Sequence, residues 1–538
     1  MFSKMLYFSE VIQLKKNFRF FYQPFPFYQS HTQARTAFLK NCRNNQAWQL
    51  QTDDFRLFIS VEKKGNCMVI DNLLCDDLES VSWEKIIILV ENFARSYFVT
   101  TLEWRFKDSA MLNEWLFLQG YHKKNNSYEK NLSYHTALVL SGGGASGAYQ
   151  IGVWRALKKL AISFDFITAT SVGALNAALI IMDDVKQAQA IWQDIDTQQI
   201  LALPMPAADS PSLKQLLGQI DRMAKTAIKE QGISTIPLQQ LIYRIVKKGK
   251  IEKKLPLFVC TTRLRGLREK VFAVDLTSDS WRYLIASAAF FPAMQASKIG
   301  SEYYIDGGYR NDFPIDVALV KGATECICVD AKGPGFRKPL AFPESVSKVM
   351  FSSAGSLGNV LLFDGSRSKL NEKLGYLEVY KYFHYYQGYW YTFEKEADWQ
   401  KEWQSFVEKL AITEKNWLEQ TGFWQEFSKY YSAHVVYENA GLAMAEWLGK
   451  LLAVRPDRLY CKTAFIKQLT LPKKELSVSR SVEEWLKQYY QENGILSQSN
   501  QLKYWVTQLE HMEFFSVTLT EKAKLFIIAA KFLGFLTK

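Results

Sequence analysis

The stretch that most constrains this chain is HTALVLSGGGASGAYQIGVWRALKKL, residues 135–160. Residues 137–140 read as a short buried strand. Gly142, Gly143, Gly144 and Gly147 follow, and Val153, Trp154, Leu157 and Leu160 then fall on one helical face. A strand that passes through glycines into a helix is an anion-binding turn, because the helix N-terminus presents unpaired N–H groups and glycine lets a ligand come close to the backbone. The spacing Gly142-x-Gly144-x-x-Gly147 also fits a dinucleotide loop, but that use needs an acid at the C-terminal end of the next strand to hold the ribose. The next strand is FDFITAT, and its acid, Asp165, stands at the beginning. No Gly-Lys-Ser/Thr follows, which excludes a Walker loop. An oxyanion hole, with two or three N–H groups aimed at a developing negative oxygen, is the use that remains.

One strand later the chain reads DFITATSVGALNAAL, residues 165–179. Strand, Thr170-Ser171-Val172-Gly173 and helix give the context of a nucleophile elbow, with Ala169 where G-x-S-x-G has its first glycine. Two successive parallel strands end at the same sheet edge, so Ser171 and the glycine loop are expected to be neighbours there. A serine nucleophile needs a base. The six histidines are His31, His122, His135, His384, His434 and His511, so none falls between 135 and 384, and His135 precedes the first strand, at the opposite end of the sheet. A Ser-His-Asp triad within this region is therefore not expected. The segment EYYIDGGYRNDFP supplies a carboxylate after a strand, Asp306, with Gly307 and Gly308 leaving room for it against another backbone. In isolation Asp-Gly-Gly is a plain turn. As a base, Asp306 would need its pKa of ~3.9 raised by an apolar pocket, for which FFPAM, residues 290–294, offers a lining.

Around this centre the chain divides into three regions, 1–135, 136–335 and 336–538. The first alternates strand-like and helix-like runs: strands on either side of Lys64-Gly65-Asn66, a helix with Ile86, Ile87, Leu89, Val90, Phe93 and Ala94 on one face, the strand TTLEWRF, a helix ending at Gly120, and the strand YEKNLSY. That order resembles a degenerate acetyltransferase fold of the GNAT type. The turn that would hold acyl-CoA reads DNLLCDDLESVSW, with acids and no glycine, so an accessory domain without a cofactor is expected. The third region is helix-rich and holds eight of the 15 tryptophans. Its aromatic run at 380–393 fits a packed seam better than a membrane-facing lid, and its apolar end, 525–536, fits a buried terminal helix and an interfacial one equally well. The net charge of +12 is mild for 538 residues, and the basic concentration at 243–270 reads first as a solvated face and second as a contact with anionic membrane. No zinc-finger spacing or basic-region heptad points to nucleic acid. Seven scattered cysteines without a C-x-x-C pair suggest neither a disulfide framework nor a metal site. With no apolar run of 18 residues and no clean leader, a cytoplasmic protein is expected, with peripheral membrane contact as its nearest variant.

Taken in order, the glycine loop, the serine elbow, ASAA followed by a proline, and Y-x-DGG resemble the patatin-like phospholipases over residues 136–335. The resemblance implies a three-layer α/β/α core in an α/β fold, standing between the small α+β domain and the helix-rich region read from the chain's own pattern. It further implies hydrolysis of lipid acyl esters of the phospholipase A or lysophospholipase type, without metal or cofactor. By position, Ser171 would be the nucleophile and Asp306 the base, and Gly142, Gly143, Gly144 and Ala145 would form the oxyanion loop, with Gly147, Ala169, Gly173, Gly307 and Gly308 supporting the motifs. Two positions depart from the family: Ser146 stands where it usually has Arg or Lys, and Ala169 where it has glycine. The alternatives are a catalytically weak or silent interaction protein built on the same fold, and a lipid acyltransferase.

Overall fold

The computed structural model describes residues 2–8, 10–11, 27–76, 81–106, 109–197, 236, 238–240, 242–243, 255–470, 495–511 and 519–538. Its first seven strands are β1 (Phe2–Met5), β2 (Ala47–Gln51), β3 (Arg56–Lys64), β4 (Cys67–Cys75), β5 (Thr101–Arg105), β6 (His122–Lys124) and β7 (Ser127–Asn131), and they form one sheet in the order β1-β2-β3-β4-β5-β7-β6. The β3–β4 hairpin turns on two residues, and Gly65 takes the positive φ of 60° that such a tight turn requires. The helix Trp83–Ser96 lays its apolar stripe into the core of this sheet, so the helical periodicity at 86–94 is realised as burial.

The second sheet holds β8 (Thr136–Leu140), β9 (Phe166–Thr170), β10 (Leu257–Arg263), β11 (Arg268–Val274), β12 (Ser297–Ile299), β13 (Glu302–Asp306), β14 (Glu325–Asp330) and β15 (Ser347–Ser352). The order is β12-β13-β10-β9-β8-β14-β15, with β11 paired to β10 off this path. The neighbours from β10 to β15 are parallel, whereas β11, β12 and β13 run antiparallel to their partners. Every residue of β8, β9 and β14 is buried, as expected of parallel strands covered on both faces. The strand period divides them cleanly: Leu138, Leu140, Ile167, Ala169, Ile327 and Val329 face the larger core, and Ala137, Val139, Phe166, Cys326 and Cys328 face a smaller one beneath the helix Ile315–Val320. All seven cysteines are free.

The chain leaves β8 toward β9 on one side, and β14 returns on the other, so a crevice opens above the C-terminal ends of these strands. This core does not stop at residue 335, where the sequence suggests a boundary. β15 extends the parallel sheet, and the helix Gly365–Tyr382 packs on the helix Ala148–Lys159. Gly152 and Gly375 set that close approach: a Cβ on Gly152 would collide with the Glu372 carbonyl, and one on Gly375 with that of Tyr149.

The third sheet is small, made of β16 (Tyr386–Gln387), β17 (Thr392–Glu394) and β18 (Leu459–Tyr460), and it is surrounded by helices whose core is dense in Trp, Tyr and Phe. The aromatic run at 380–393 is mostly seam and core: Trp390, Tyr391 and Phe393 are buried, while Tyr382, Phe383 and His384 meet Tyr97 of the first region. The terminal helix Glu521–Leu536 buries Leu525, Phe526, Ile528, Ala529 and Phe532, and Lys531 pairs with Glu414. Among the described residues no helix is long and apolar enough to cross a membrane. Of the basic stretch at 243–270, residues 244–254 lie outside the described residues, and Arg265, Arg268 and Lys270 are exposed.

Candidate active site

β9 ends at Thr170, and the chain reverses into the helix Val172–Ile181 through Ser171, which has φ 55° and ψ −127°. A non-glycine residue is held in that region at a cost of about 1–3 kcal/mol, which the surrounding packing must cover. Gly173 makes the turn possible, because a Cβ there would lie 2.6 Å from the Leu140 carbonyl oxygen and 2.7 Å from that of Ser141. Ala169 does not disturb it. The residue keeps its ladder partners Leu140 and Val259 and is fully buried in the larger core.

The Ser171 hydroxyl donates to Asp306 Oδ2 at 2.6 Å, and Asp306 Oδ1 accepts from the Gly308 N–H at 2.7 Å. β13 reaches this point because it runs antiparallel to β10, with Asp306 opposite Thr261, one residue beyond the Cys260–Thr170 pair. Gly307 then crosses the strand ends, where a Cβ would meet the Cys260 carbonyl. Burial pushes the Asp306 carboxyl up to about 7 from 3.8, against the hydrogen bonds from Ser171 and Gly308, and the neighbouring Asp312 adds a push in the same upward direction. The apolar environment required for a carboxylate base is thus present. His135 stands at the other end of the sheet, beside Asp165.

The glycine loop is divided by its hydrogen bonds. The Gly142 N–H donates to the Asp312 carbonyl at 2.9 Å and the Ala145 N–H to that of Val360 at 2.8 Å. These two expected oxyanion donors are therefore committed to bracing the loop. Gly143 and Gly144 line the cavity together with Ser171 and Asp306. Gly144 has φ 51°, and a side chain on it would strike the Val360 carbonyl. Ser146 is buried and donates its N–H to the Gly143 carbonyl at 3.0 Å. Gly147 packs under Val172 and Trp192.

Two sets of residues escape sequence reasoning. Ser287, within the ASAA motif, accepts the Ser171 N–H at 2.8 Å and donates to the Cys260 carbonyl at 2.6 Å, pinning the elbow to β10. Beneath the loop runs a buried chain in which Trp192 Nε1 donates to Asn176 Oδ1 (2.9 Å) and Asn176 Nδ2 donates to Gln150 Oε1 (2.8 Å) and to the Gly147 carbonyl (2.9 Å). Gln150 Nε2 continues it to the Ser141 carbonyl (2.8 Å), and Ser141 Oγ accepts from the Ala331 N–H (2.8 Å). The sequence signal was the presence of Asn and Gln on otherwise apolar helix faces, where burial demands partners.

The cavity measures about 450 Å³. Its deep end is formed by buried aliphatic residues, among them Leu179, Leu238 and Leu284, while Phe290, Tyr309 and Phe336 are exposed at its rim. Of the expected lining at 290–294, Phe290, Ala293 and Met294 face it. No cluster among the described residues could hold a metal ion.

Residues 138–319 match the family model for patatin-like phospholipases. Within it the chain is 31% identical over 199 residues to patatin-like phospholipase domain-containing protein 7 of Rattus norvegicus, and 29% identical over 202 residues to protein 6 of that name from Homo sapiens. Each match takes in 36% of this chain and 13% of the relative's length. Among solved structures, VipD from Legionella pneumophila aligns with 78% of this chain and 94% of its own, at 12% identity and a TM-score of 0.29.

Proposed function

We propose that this chain is a serine acyl-ester hydrolase acting on lipids, of the phospholipase A or lysophospholipase type. The observation that carries the proposal is the 2.6 Å bond from the Ser171 hydroxyl to a buried Asp306, both lining an apolar cavity. Asp306 takes the Ser171 proton as Oγ attacks the ester carbonyl. The N–H groups of Gly143 and Gly144 face the oxyanion, and Asp306 returns the proton to the departing alcohol. Water then enters, gives its proton to Asp306, and its oxygen attacks the acyl-serine. Collapse of that second intermediate breaks the Ser171 ester, the proton returns to Oγ, and the fatty acid leaves.

A carboxylate with a pKa of about 7 is matched to this work near neutral pH. The buried aliphatic end of the cavity suits an acyl chain. The exposed aromatic rim, with Phe290 and Tyr309 stacked at 6.1 Å, suits peripheral contact with a lipid surface. The domain match supports the same substrate class.

Labelling with a fluorophosphonate probe tests the reading directly. Wild type should label and Ser171→Ala should not, and fatty acid should be released from a lysophospholipid only by wild type. Absence of labelling in wild type, or equal labelling of both proteins, would leave a silent scaffold as the better description. Release of an acylated alcohol instead of free acid would indicate transfer.

A further inference from the structure

Asp312 stands six residues after Asp306 and lines the same cavity, 2% exposed. Three glycines make room for it. A Cβ on Gly335 would come within 2.6 Å of its Oδ1, one on Gly308 within 3.2 Å, and one on Gly142 would overlap it. Ser171 Cβ lies 3.4 Å from that same point over Gly142, and Asp306 Oδ1 lies 3.1 Å from the point over Gly308. The Asp312 carboxyl is therefore packed beside both members of the dyad.

The other polar side chains of the cavity wall are committed within the protein. Ser171 and Asp306 hold each other, Asn176 and Trp192 belong to the buried chain, and Tyr309 donates to the Phe291 carbonyl. Asp312 is not committed in this way: no hydrogen bond from the described residues reaches its carboxyl, whose sealed Oδ2 lies on the Arg337 side and whose Oδ1 lies among the glycines beside the dyad. Arg337 Nε is 3.8 Å away, beyond hydrogen-bond reach, and its guanidinium is held in a two-bond fork by Asp330 at 2.7 and 2.9 Å. A buried acceptor left unpaired is costly, and a ligand that brings a donor recovers that cost.

We propose that Asp312 is a specificity-determining residue that accepts a hydrogen bond from a hydroxyl on the alcohol half of the ester. The alcohol half is placed by the cavity's polarity: the acyl chain takes the aliphatic end, and Asp312 lies between Gly308 and Gly335, next to the rim residues Tyr309 and Phe336. The donor is a hydroxyl because the carboxyl sits one glycine away from Ser171. It faces the part of the alcohol next to the scissile oxygen, and in a glycerol ester the first polar group there is the hydroxyl on the neighbouring carbon, three bonds from that oxygen. Burial raises the Asp312 carboxyl to about 6 although Arg337 pulls it down, so at pH 8 it is an acceptor only.

This inference rests on the hydrolase reading, and its test keeps the two apart. The kcat/KM of wild type at pH 8 is measured on a 1-acylglycerol and on the same ester with both free hydroxyls methylated. A preference of roughly 10- to 100-fold for the free hydroxyls is expected from one hydrogen bond to a charged acceptor. It should fall to within about threefold of unity in Asp312→Ala and drop several-fold in Asp312→Asn, which keeps a carbonyl but not the charge. A wild type that hydrolyses both esters equally overturns this inference alone. One that hydrolyses neither overturns the hydrolase reading and this inference with it. An unchanged preference in Asp312→Asn, or a parallel loss on both esters with the ratio preserved, assigns the carboxyl a packing role instead. Asp312→Asn decides the matter if Asp312→Ala does not fold.

Discussion

At the scale of single residues, the central tension is that Asp306, as the proposed base, would have to be ionised to act yet is buried where ionisation is disfavoured. Its folded pKa of about 7 lies above the 3.8 of an exposed aspartate. The folded chain therefore binds this proton more tightly than the unfolded chain, and the group's contribution to stability is lost as pH rises from about 4 through 7. Two outcomes follow for Asp306→Asn. Hydrolysis should be abolished, whereas the wild type's kcat/KM should climb through pH 7 to a plateau. The variant should also unfold at a higher temperature than wild type at pH 8, with the gap narrowing toward pH 4. Each kcal/mol regained shifts Tm by roughly 2–4 °C in a domain of 150–250 residues. Calorimetry at both pH values checks the sign, and a gap that widens toward acid would contradict it. Residue types made the Ser171–Asp306 pair legible in sequence, because each stands at a strand end with the glycines its turn needs. Ala169 was harder to judge: sequence shows a methyl where a glycine is expected, and only the intact ladder of β9 shows that the methyl has a place in the core.

At the scale of elements, the site depends on two helices that start at its edge, Ala148–Lys159 and Val172–Ile181. Their periodicity could be read from apolar spacing, but their coupling could not, because it runs through Gln150, Asn176 and Trp192, which are far apart in sequence and meet only once the helices are packed. Asn176 is the hub of three of these hydrogen bonds. Asn176→Ala should lower kcat by about 10- to 100-fold while leaving KM within a few-fold, since the loss falls on the geometry of the proposed oxyanion loop and not on acyl-chain contact. Trp192→Phe, which removes one donor and keeps the ring, should show a smaller drop in the same direction. A rise in KM at constant kcat would place Asn176 in substrate binding instead. The elements missed by sequence reading include β1, β2 and β6 and the helix His31–Arg43. β6 is three exposed residues, all basic, and is a strand only because β7 pairs with it. The local signal was the turn Asn125-Asn126 between them, where Asn125 takes a positive φ of 55°.

At the scale of the whole molecule, the first sheet is tied to the patatin-like core by a buried ionic joint. Arg95, on the helix Trp83–Ser96, reaches Glu325 Oε1 at 3.4 Å and Glu91 Oε2 at 3.6 Å. Glu325 is fully buried at the start of β14, where its other oxygen accepts from Thr136 Oγ1 at 3.1 Å. Ser347 Oγ adds a bond to the Asn92 carbonyl at 2.9 Å, and the joint continues outward through Tyr97, His384 and Trp48. The three regions could be separated in sequence by their changing patterns. The joint could not be seen, because its charges lie 230 positions apart and look like ordinary surface residues. Removing Arg95 leaves Glu325 in a site that water does not reach, so Arg95→Met should cost about 3–5 kcal/mol. Burial already raises the Glu325 carboxyl and Arg95 holds it down, so the loss in Arg95→Met should be greatest above neutrality and shrink as acid lets Glu325 take a proton. Replacing both partners, Arg95→Met with Glu325→Leu, removes the desolvation cost together with the attraction and should recover most of the stability. Urea unfolding of wild type, the single variant and the double variant measures this. A double variant as unstable as the single one would mean that the joint depends on the attraction between its charges and not on avoiding an unpaired one.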